Sequence, residues 1–179
     1  MQLRVERRVP PGANMKKMQF FYDYECPFCW KGFGYLMDKV INHQEIEIEF
    51  LPIESHPLPE DHPPHTNLAC QSYYAAKELG ADMDAFHAAM FQAVAIERRN
   101  VEKPEVLCEI LTGIVDSGKF RAIIESGKYA KQIDDNMDFA YEKSGVWFVP
   151  AFRMEGKKLD AQGGIGITPN ELQNFLGQH

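Results

Sequence analysis

The pattern of hydrophobic and polar residues divides the chain into two α/β segments separated by a helical stretch. An apolar, aromatic run over 18–24 predicts a buried strand. Apolar positions at helical spacing follow over about 27–42, and alternating polar and apolar residues over 45–51 predict a second, half-buried strand. Because two strands flank one helix, we expect the chain to begin with a βαβ unit and a parallel strand pair.

The middle of the chain is predicted to be entirely helical. A loop with five prolines and three histidines over 52–65 precedes it. Asn67 is a candidate cap for the first helix, because its short polar side chain can accept from the unpaired N–H groups of the first turn. The predicted helices run over 67–79, from Asp82 or Asp84, from Pro104 to Gly118, over 120–126 and over 128–144.

The end of the chain returns to strands. The apolar stretch 146–154 predicts a strand, 155–158 a hairpin turn, and 159–164 the returning strand. Thr168 and Glu171 have the spacing of a capping box, with proline between them at the first helical position. A final helix is therefore expected over 170–176.

Composition favours one packed domain with a large insertion. The chain has 179 residues, of which 45% are hydrophobic, and its net charge is −7. An acidic balance disfavours nucleic acid and anionic membranes as partners. No window approaches the roughly 18 uninterrupted apolar residues of a membrane-spanning helix.

The first residues and the cysteine count bear on the compartment. Residues 1–17 contain arginines and a Pro-Pro-Gly breaker but no apolar run of signal-peptide length, so we expect a disordered or non-native leader. Four cysteines are too few for a disulfide scaffold. We therefore predict a cytoplasmic location.

Two of the four cysteines lie where the first strand ends and the first helix begins. The run Cys26-Pro27-Phe28-Cys29 follows the strand directly. The first turn of a helix exposes unpaired N–H groups and a partial positive charge, which favour an anion such as a Cys26 thiolate. Pro27 fits the first helical position, because its missing N–H costs nothing there. Cys29 lies over the same turn within reach of Cys26, so the pair is equipped for thiol–disulfide exchange.

Three stretches of sequence carry a resemblance to a known family. They are 23–30 around the cysteine pair, the loop 145–152, and the tail from Ala161 into the last helix. With this element order, the chain resembles the DsbA-like thiol–disulfide oxidoreductases, and among them the FrnE-like branch. The resemblance implies an α/β, thioredoxin-like fold formed by 18–63 and 128–179, interrupted by an all-helical insertion over 64–127.

The resemblance also implies a function and a site. Cys26 and Cys29 would be catalytic, acting through a mixed-disulfide intermediate on a disulfide- or dithiol-containing protein or small molecule. No cofactor is implied, although glutathione is a possible co-substrate, and the oligomeric state stays open. The residues expected to bind substrate or support the pair are Pro27, Phe28, Trp30, Val149 and Pro150, with a cis bond before Pro150 that leaves the Val149 backbone free to pair with an extended client.

Two residues depart from the pattern of strongly oxidising members of the family. Phe28 stands where some of them carry histidine and adds no charge that would stabilise a Cys26 thiolate. Glu25 directly precedes Cys26 and should oppose the thiolate if its side chain lies near. We therefore expect a less oxidising pair.

Two other functions remain as alternatives. The sequence also resembles, more distantly, the kappa-class glutathione transferases and the 2-hydroxychromene-2-carboxylate isomerases, which bind glutathione and typically place serine where Cys26 stands. Alternatively, Cys26 and Cys29 could bind zinc with His56, His62 or His65. The presence of both cysteines disfavours the first alternative and the lack of a second C-x-x-C the second, so we predict no metal and assign the histidines to a solvated loop.

Overall fold

The computed structural model describes residues 14–40, 42–43 and 45–177, and within them the chain forms four β-strands and seven α-helices. The strands are β1 (Lys16–Tyr22), β2 (Ile46–Pro52), β3 (Ala151–Met154) and β4 (Lys157–Asp160). The helices are α1 (Pro27–Val40), α2 (Asn67–Glu78), α3 (Met83–Phe91), α4 (Pro104–Ile110), α5 (Ser117–Ser126), α6 (Ala130–Asp138) and α7 (Pro169–Leu176). None of these helices has the length and hydrophobicity needed to cross a membrane.

The four strands form one mixed sheet in the order β2-β1-β3-β4. Strand β1 pairs in parallel with β2, as the sequence predicted, and α1 makes the crossover between them. The pairs β1–β3 and β3–β4 are antiparallel. Because β1 lies between two partners, its carboxyl end at Tyr22 is central in the sheet, and the residues that follow it are held over the sheet's edge.

Side chains of β1 alternate between two apolar cores on opposite faces of the sheet. Phe20 and Tyr22 belong to the larger core, and the Phe20 ring stacks on Phe152 with 4.8 Å between the ring centroids. Phe21 points into the smaller core, where it meets Ala140 and Val146. Each buried ring contributes roughly 1.5–3 kcal/mol, so the two-residue period of β1 fixes which face each neighbouring helix covers.

The helical stretch between β2 and α6 shares the larger core with the sheet. Phe86, Phe91 and Phe120 are fully buried in the same cluster as Phe20 and Tyr22. The predicted insertion over 64–127 is helical throughout its regular elements, α2 to α5. Since it has one apolar cluster in common with the α/β part, it is packed against the sheet and not held apart from it.

The predicted leader and the predicted third strand are partly wrong. Strand β1 begins at Lys16, so Lys16 and Lys17 belong to the sheet, whereas residues 1–13 lie outside the described part of the chain. Strand β3 begins only at Ala151, not at residue 146. Pro150 cannot donate a ladder hydrogen bond, and residues 146–150 form a loop instead. Strand β4 accordingly covers 157–160, earlier than predicted.

Helix ends also differ from the predicted ones. The helix predicted from Pro104 to Gly118 ends at Ile110, and Asp116 caps a separate helix by accepting from the backbone N–H of Lys119. The cap position before α2 is Thr66, not Asn67 as predicted, because Asn67 is the first residue of the helix. The Asn67 side chain instead donates to Glu54 over 2.8 Å. The Thr168–Glu171 capping box is present as predicted.

Candidate active site at the end of strand β1

The turn between β1 and α1 holds the cysteine pair in place. The backbone N–H of Cys26 donates to the carbonyl oxygen of Asp23 over 3.2 Å, which closes the turn before Pro27 begins α1. Tyr24, fully buried within the turn, makes hydrogen bonds of 3.1 Å with the hydroxyl of Tyr22 and with Nδ1 of His87. The turn is therefore tied to β1 on one side and to α3 on the other.

Cys26 is partly exposed at the amino end of α1, and its sulfur accepts a backbone hydrogen bond. The N–H of Cys29, in the first turn of the helix, donates to Cys26 Sγ over 3.3 Å. The sulfur thus takes the place that a side-chain oxygen takes in a helix cap. The N–H of Cys29 also donates to the carbonyl oxygen of Cys26 over 3.1 Å, so it is shared between the two acceptors. The N–H groups of the first turn and the helix dipole both favour the thiolate form there.

The pKa values of the two thiols shift in opposite directions. A hydrogen bond from the Cys29 thiol lowers the pKa of Cys26, and the backbone N–H groups of Cys29 and Phe28 act in the same direction, against partial burial and the charge of Asp23. Complete burial, followed by the interaction with Cys26, raises the pKa of Cys29 well above its ordinary value. Both cysteines are free thiols in the structure. The surroundings therefore favour the thiolate form of Cys26 and the protonated form of Cys29.

The loop before β3 brings Val149 and Pro150 to the cysteine pair. The Val149–Pro150 peptide bond is cis, and the carbonyl oxygen of Val149 lies 3.7 Å from Cys26 Sγ. Pro150 is buried against α1, where a Cβ added to Gly32 would lie 3.0 Å from its Cγ. Among the described residues, the N–H and C=O of Val149 take part in no backbone–backbone hydrogen bond. An extended chain can therefore pair with Val149 beside Cys26.

Asp23 is a site residue to which the sequence analysis gave no role. Its side chain is fully buried, and burial raises its pKa to about 6 despite the hydrogen bond from the backbone N–H of Ser55, 2.7 Å from Oδ2. Asp23 acts electrostatically on both thiols. An acidic residue directly after a buried strand and three positions before a reactive cysteine was the signal that could have identified it.

The Glu25 carboxylate lies among two histidines and an arginine. It lies 3.7 Å from Nε2 of His56, from Nε2 of His62 and from Nη2 of Arg98. Burial raises the pKa of Glu25, and His56 and Arg98 act in the opposite direction. The carboxylate that acts against the Cys26 thiolate is that of Asp23.

The aromatic residues around the pair, among them the predicted supporting residues Phe28 and Trp30, separate into an inward and an outward group. Trp30 packs inward, between the rings of Phe33 and Phe91 at centroid distances of 6.1 and 5.4 Å, so it fixes α1 against α3. Phe28 packs on Gly166, where a Cβ would lie 2.9 Å from its ring. Trp147 and Phe148 are 83% and 57% exposed next to Val149. Pro27 is also exposed.

A family model and several known proteins match this chain. The model, described as a DSBA-like thioredoxin domain, matches residues 17–166. The uncharacterized protein YwbO of Bacillus subtilis (strain 168) is 22% identical, with 75% of this chain and 84% of YwbO covered. The "probable DsbA oxidoreductase" of Streptomyces coelicolor has a TM-score of 0.77 at 16% identity, with 90% of this chain and 88% of that chain covered.

Another similar structure is DsbA of Pseudomonas aeruginosa, with a TM-score of 0.63 at 23% identity, and 93% of this chain and 83% of that chain covered. At such identities the structures show the fold, which is the predicted thioredoxin-like fold with helices between its two α/β parts. The match of the family model over most of the chain shows more: this protein belongs to the DSBA-like thioredoxin domain family. Its assignment to the FrnE-like branch stays a prediction.

Proposed function

We propose that this protein is a thiol–disulfide oxidoreductase that acts through Cys26 and Cys29. The observation that carries the proposal is the arrangement of the two sulfurs. Cys26 Sγ accepts the N–H of Cys29 over 3.3 Å at a partly exposed helix end, and the Cys29 thiol lies buried behind it. Membership of the DSBA-like family supports the same chemistry. Neither sulfur is held in a structural disulfide.

The proposed reaction proceeds in two displacements. The Cys26 thiolate attacks one sulfur of a substrate disulfide, so that a Cys26–substrate disulfide forms and the other substrate sulfur leaves as a thiolate. Cys29 then loses its proton and attacks Cys26 Sγ, which releases the second substrate sulfur. The substrate gains two electrons and two protons, and the protein keeps a Cys26–Cys29 disulfide. The reverse sequence oxidises a dithiol client.

Asp23 is the group to which we assign the Cys29 proton. Burial opposes ionisation of both Cys29 and Asp23, and the pKa of Asp23 is raised to about 6. A carboxylate whose pKa lies near neutrality can take a proton and return it. We therefore propose Asp23 as the base in the second displacement and as the acid when the reaction runs in reverse.

The client in this proposal is an extended peptide that carries a disulfide or a dithiol. The backbone of Val149, which makes no backbone–backbone hydrogen bond to the described residues, offers main-chain hydrogen bonds beside Cys26. The exposed rings of Trp147 and Phe148 offer apolar contacts along the same segment. Backbone pairing of this kind selects for an extended chain more than for a particular sequence.

Reduction of insulin by dithiothreitol, followed by turbidity, tests the proposal. Cys26→Ala should reduce the catalysed rate to that of dithiothreitol alone, because it removes the nucleophile. Cys108→Ser is a matched control, since Cys108 is also partly exposed but lies on α4. Unchanged activity in Cys26→Ala would refute the proposal. Oxidised glutathione belongs among the disulfides assayed, as a proposed co-substrate.

The direction of exchange depends on the reduction potential of the pair relative to its compartment. About 30 mV corresponds to about 1.4 kcal/mol for this two-electron couple. Equilibration with glutathione buffers measures the potential. A value well below that of the cytosolic glutathione pool would support a reductase in the predicted cytoplasmic location, and a value well above it would support an oxidant or isomerase. Tight glutathione binding without dithiol turnover would support the transferase alternative instead.

A further inference from the structure

Three side chains that the proposed redox reaction does not use converge next to the cysteine pair. They are Glu25, His56 and His62, and their ligand-capable atoms all lie within 4.8 Å of one another. Nε2 of His56 lies 3.7 Å from Oε1 of Glu25, and Nε2 of His62 lies 3.7 Å from Oε2. The two imidazole rings are 3.9 Å apart between centroids. The histidines predicted to lie on a solvated loop are thus turned toward one buried carboxylate.

The ring of His56 is oriented by a second carboxylate. Nδ1 of His56 donates to Oε2 of Glu60 over 2.9 Å. This bond fixes the tautomer in which Nε2 carries a lone pair, and Nε2 is the atom that faces Glu25. A carboxylate behind an imidazole is the usual support of a histidine that binds a metal, because it orients the ring and raises its basicity.

Glu25 provides an independent indication that a cation belongs here. The residue is 5% exposed, and among the described residues Oε2 has no hydrogen-bond partner. A buried carboxylate oxygen without a donor is costly unless a cation compensates it. Arg98 is the fixed cation nearby, with Nη2 at 3.7 Å from Oε2. Its guanidinium donates to the carbonyl oxygens of Glu25 and Pro63, each at 3.2 Å, so the carboxylate shares this cation with two other acceptors.

The loop that carries the two histidines is anchored at both ends. The N–H of Ser55 donates to Asp23 over 2.7 Å, and Arg98 holds the carbonyl oxygen of Pro63. Nδ1 of His65 lies 3.3 Å from the carbonyl oxygen of His56, across the loop. The positions of His56 and His62 are therefore largely set before any ion binds.

We propose that Glu25, His56 and His62 bind a divalent transition-metal ion of the zinc type. Two imidazoles and one carboxylate form a known ligand set for Zn²⁺, with water in the fourth position. Ligand bonds of about 2.0–2.2 Å place tetrahedral ligand atoms roughly 3.4 Å apart. The ligand-capable atoms lie within 4.8 Å of one another, and each histidine Nε2 lies 3.7 Å from a different oxygen of Glu25, so small side-chain rotations would bring them to the ion. The side chains of His56 and His62 are 39% and 50% exposed, which leaves an open path for the ion and its water.

This site is distinct from a zinc site on the cysteines. Among the described residues, the group whose ligand atoms converge contains no cysteine. The plain alternative is an ion-pair cluster in which protonated histidines and Arg98 neutralise Glu25 and no metal binds. The two alternatives differ in whether Zn²⁺ binds when it is added to the protein.

Titration of the full-length Cys26→Ser/Cys29→Ser variant with zinc chloride at pH 7.5 tests the proposal. Removing the two thiols excludes them as competing ligands. Isothermal calorimetry should show one equivalent of Zn²⁺ bound. In the same background, His62→Gln and Glu25→Gln should each weaken binding at least 10-fold, and Glu60→Gln should weaken it by about 10- to 100-fold as the loss of an outer-shell partner.

His65→Gln is the matched control, because His65 lies on the same loop but outside the converging group. It should bind Zn²⁺ as tightly as its parent. X-ray absorption of the zinc-loaded protein with its native cysteines, reduced, should show nitrogen and oxygen ligands without sulfur. Absence of binding, binding that survives both Glu25→Gln and His62→Gln, or a sulfur shell at about 2.3 Å would overturn the proposal. Because His62 is half exposed, its variant should fold, and circular dichroism checks this.

Discussion

The cysteines of this protein occupy two contrasting environments. At the junction of β1 and α1, Cys26 Sγ accepts a backbone N–H, and its pKa is lowered. In the helical stretch, Cys70 on α2 lies 3.5 Å from the carbonyl oxygen of Ile53 and Cys108 on α4 lies 3.9 Å from that of Ser117. Burial raises the pKa of both Cys70 and Cys108.

The difference shows that partial exposure alone does not set the direction in which the pKa of a cysteine shifts in this protein. Cys26 and Cys108 are both partly exposed, yet their pKa values shift in opposite directions. Hydrogen bonds from the Cys29 thiol and from backbone N–H groups stabilise the Cys26 thiolate, whereas burial favours the thiol form of Cys70 and Cys108. The start of α1 supplies several donors to Cys26, whereas at Cys70 and Cys108 the effect of burial is the largest.

Among the variants that test this comparison, Cys29→Ser should have the largest effect on activity. The variant keeps the proposed nucleophile, Cys26, but removes the thiol proposed to resolve the mixed disulfide. We expect turnover of insulin to stop while Cys26 still forms a covalent adduct with a disulfide client. Non-reducing gels and intact-mass measurement after incubation with a disulfide peptide would show the adduct.

Cys70→Ser provides the comparison from the helical stretch. Cys70 is as completely buried as Cys29, but it lies on α2 and not at the junction of β1 and α1. The Cys70→Ser variant should reduce insulin at the rate of the unmodified protein and accumulate no covalent adduct. Accumulation of adduct by both variants, or by neither, would show that Cys29 is not the resolving thiol.

A smaller effect is expected in the rate of alkylation. In buffer with EDTA at pH 7, iodoacetamide should label Cys26 at least 10-fold faster than Cys108, because only the Cys26 thiolate is stabilised by N–H donors. Cys29 and Cys70 should be protected by burial. Peptide mapping by mass spectrometry at successive times gives all four rates. Equal labelling of Cys26 and Cys108 would contradict the role assigned to the helix end.

Much of the junction could be predicted from the sequence because its signals are local. The apolar run of β1, proline at the start of α1 and the spacing of two cysteines are all short-range, and each predicts the same strand–helix turn. The fold class followed in the same way, from the order of strands and helices. The predicted length of β3 was wrong, because an apolar run predicts burial but does not show that strand pairing begins only after Pro150.

The surroundings of Glu25 could not be predicted from the sequence. Its partners His56 and Arg98 lie 31 and 73 positions away, so only the packing of the loop and of the helical stretch against the sheet brings them together. The inward position of Trp30 depends in the same way on Phe91 of α3. Contacts across such distances leave no periodic signal in a single sequence.

The next prediction concerns a buried imidazole in the helical stretch. Burial among aromatic rings lowers the pKa of His87 to about 3, against about 6.5 in an unfolded chain. Since only the unfolded chain binds the proton below pH 6.5, stability is complete above that value and is lost as the pH falls toward 3. The slope is at most about 1.4 kcal/mol per pH unit. Between pH 6.5 and 5.0 the loss should approach about 2 kcal/mol.

Urea unfolding at pH 6.5 and 5.0, in the unmodified protein and in His87→Phe, isolates this contribution. Phenylalanine fits the aromatic surroundings, and Tyr24 keeps its hydrogen bond to Tyr22. The variant should lose about 2 kcal/mol less than the unmodified protein over that interval. Asp23, whose raised pKa contributes with the opposite sign, is common to both chains and cancels in the difference. Equal losses would show that His87 is not held neutral.

The smallest effect on stability is expected from alanine substitutions at two glycines of α1. Comparing the two variants separates the packing of the junction from the intrinsic stability of the helix. A Cβ added at Gly34 would meet nothing within 4 Å, so Gly34→Ala should stabilise the protein by up to about 1 kcal/mol through helix propensity alone. A Cβ added at Gly32 would lie 3.0 Å from Cγ of Pro150. The same gain in Gly32→Ala should therefore be offset by about 1 kcal/mol or more of crowding.

The two variants also differ in what they do to the chemistry. Crowding at Gly32 presses on Pro150, whose neighbour Val149 places its carbonyl oxygen 3.7 Å from Cys26 Sγ. Insulin reduction should accordingly slow in Gly32→Ala and stay unchanged in Gly34→Ala, while thermal unfolding ranks Gly34→Ala as the more stable. If both alanines raised stability equally and left the rate unchanged, Pro150 would have room to move. The loop before β3 would then be less tightly fixed against the cysteine pair than the close approach to Gly32 indicates.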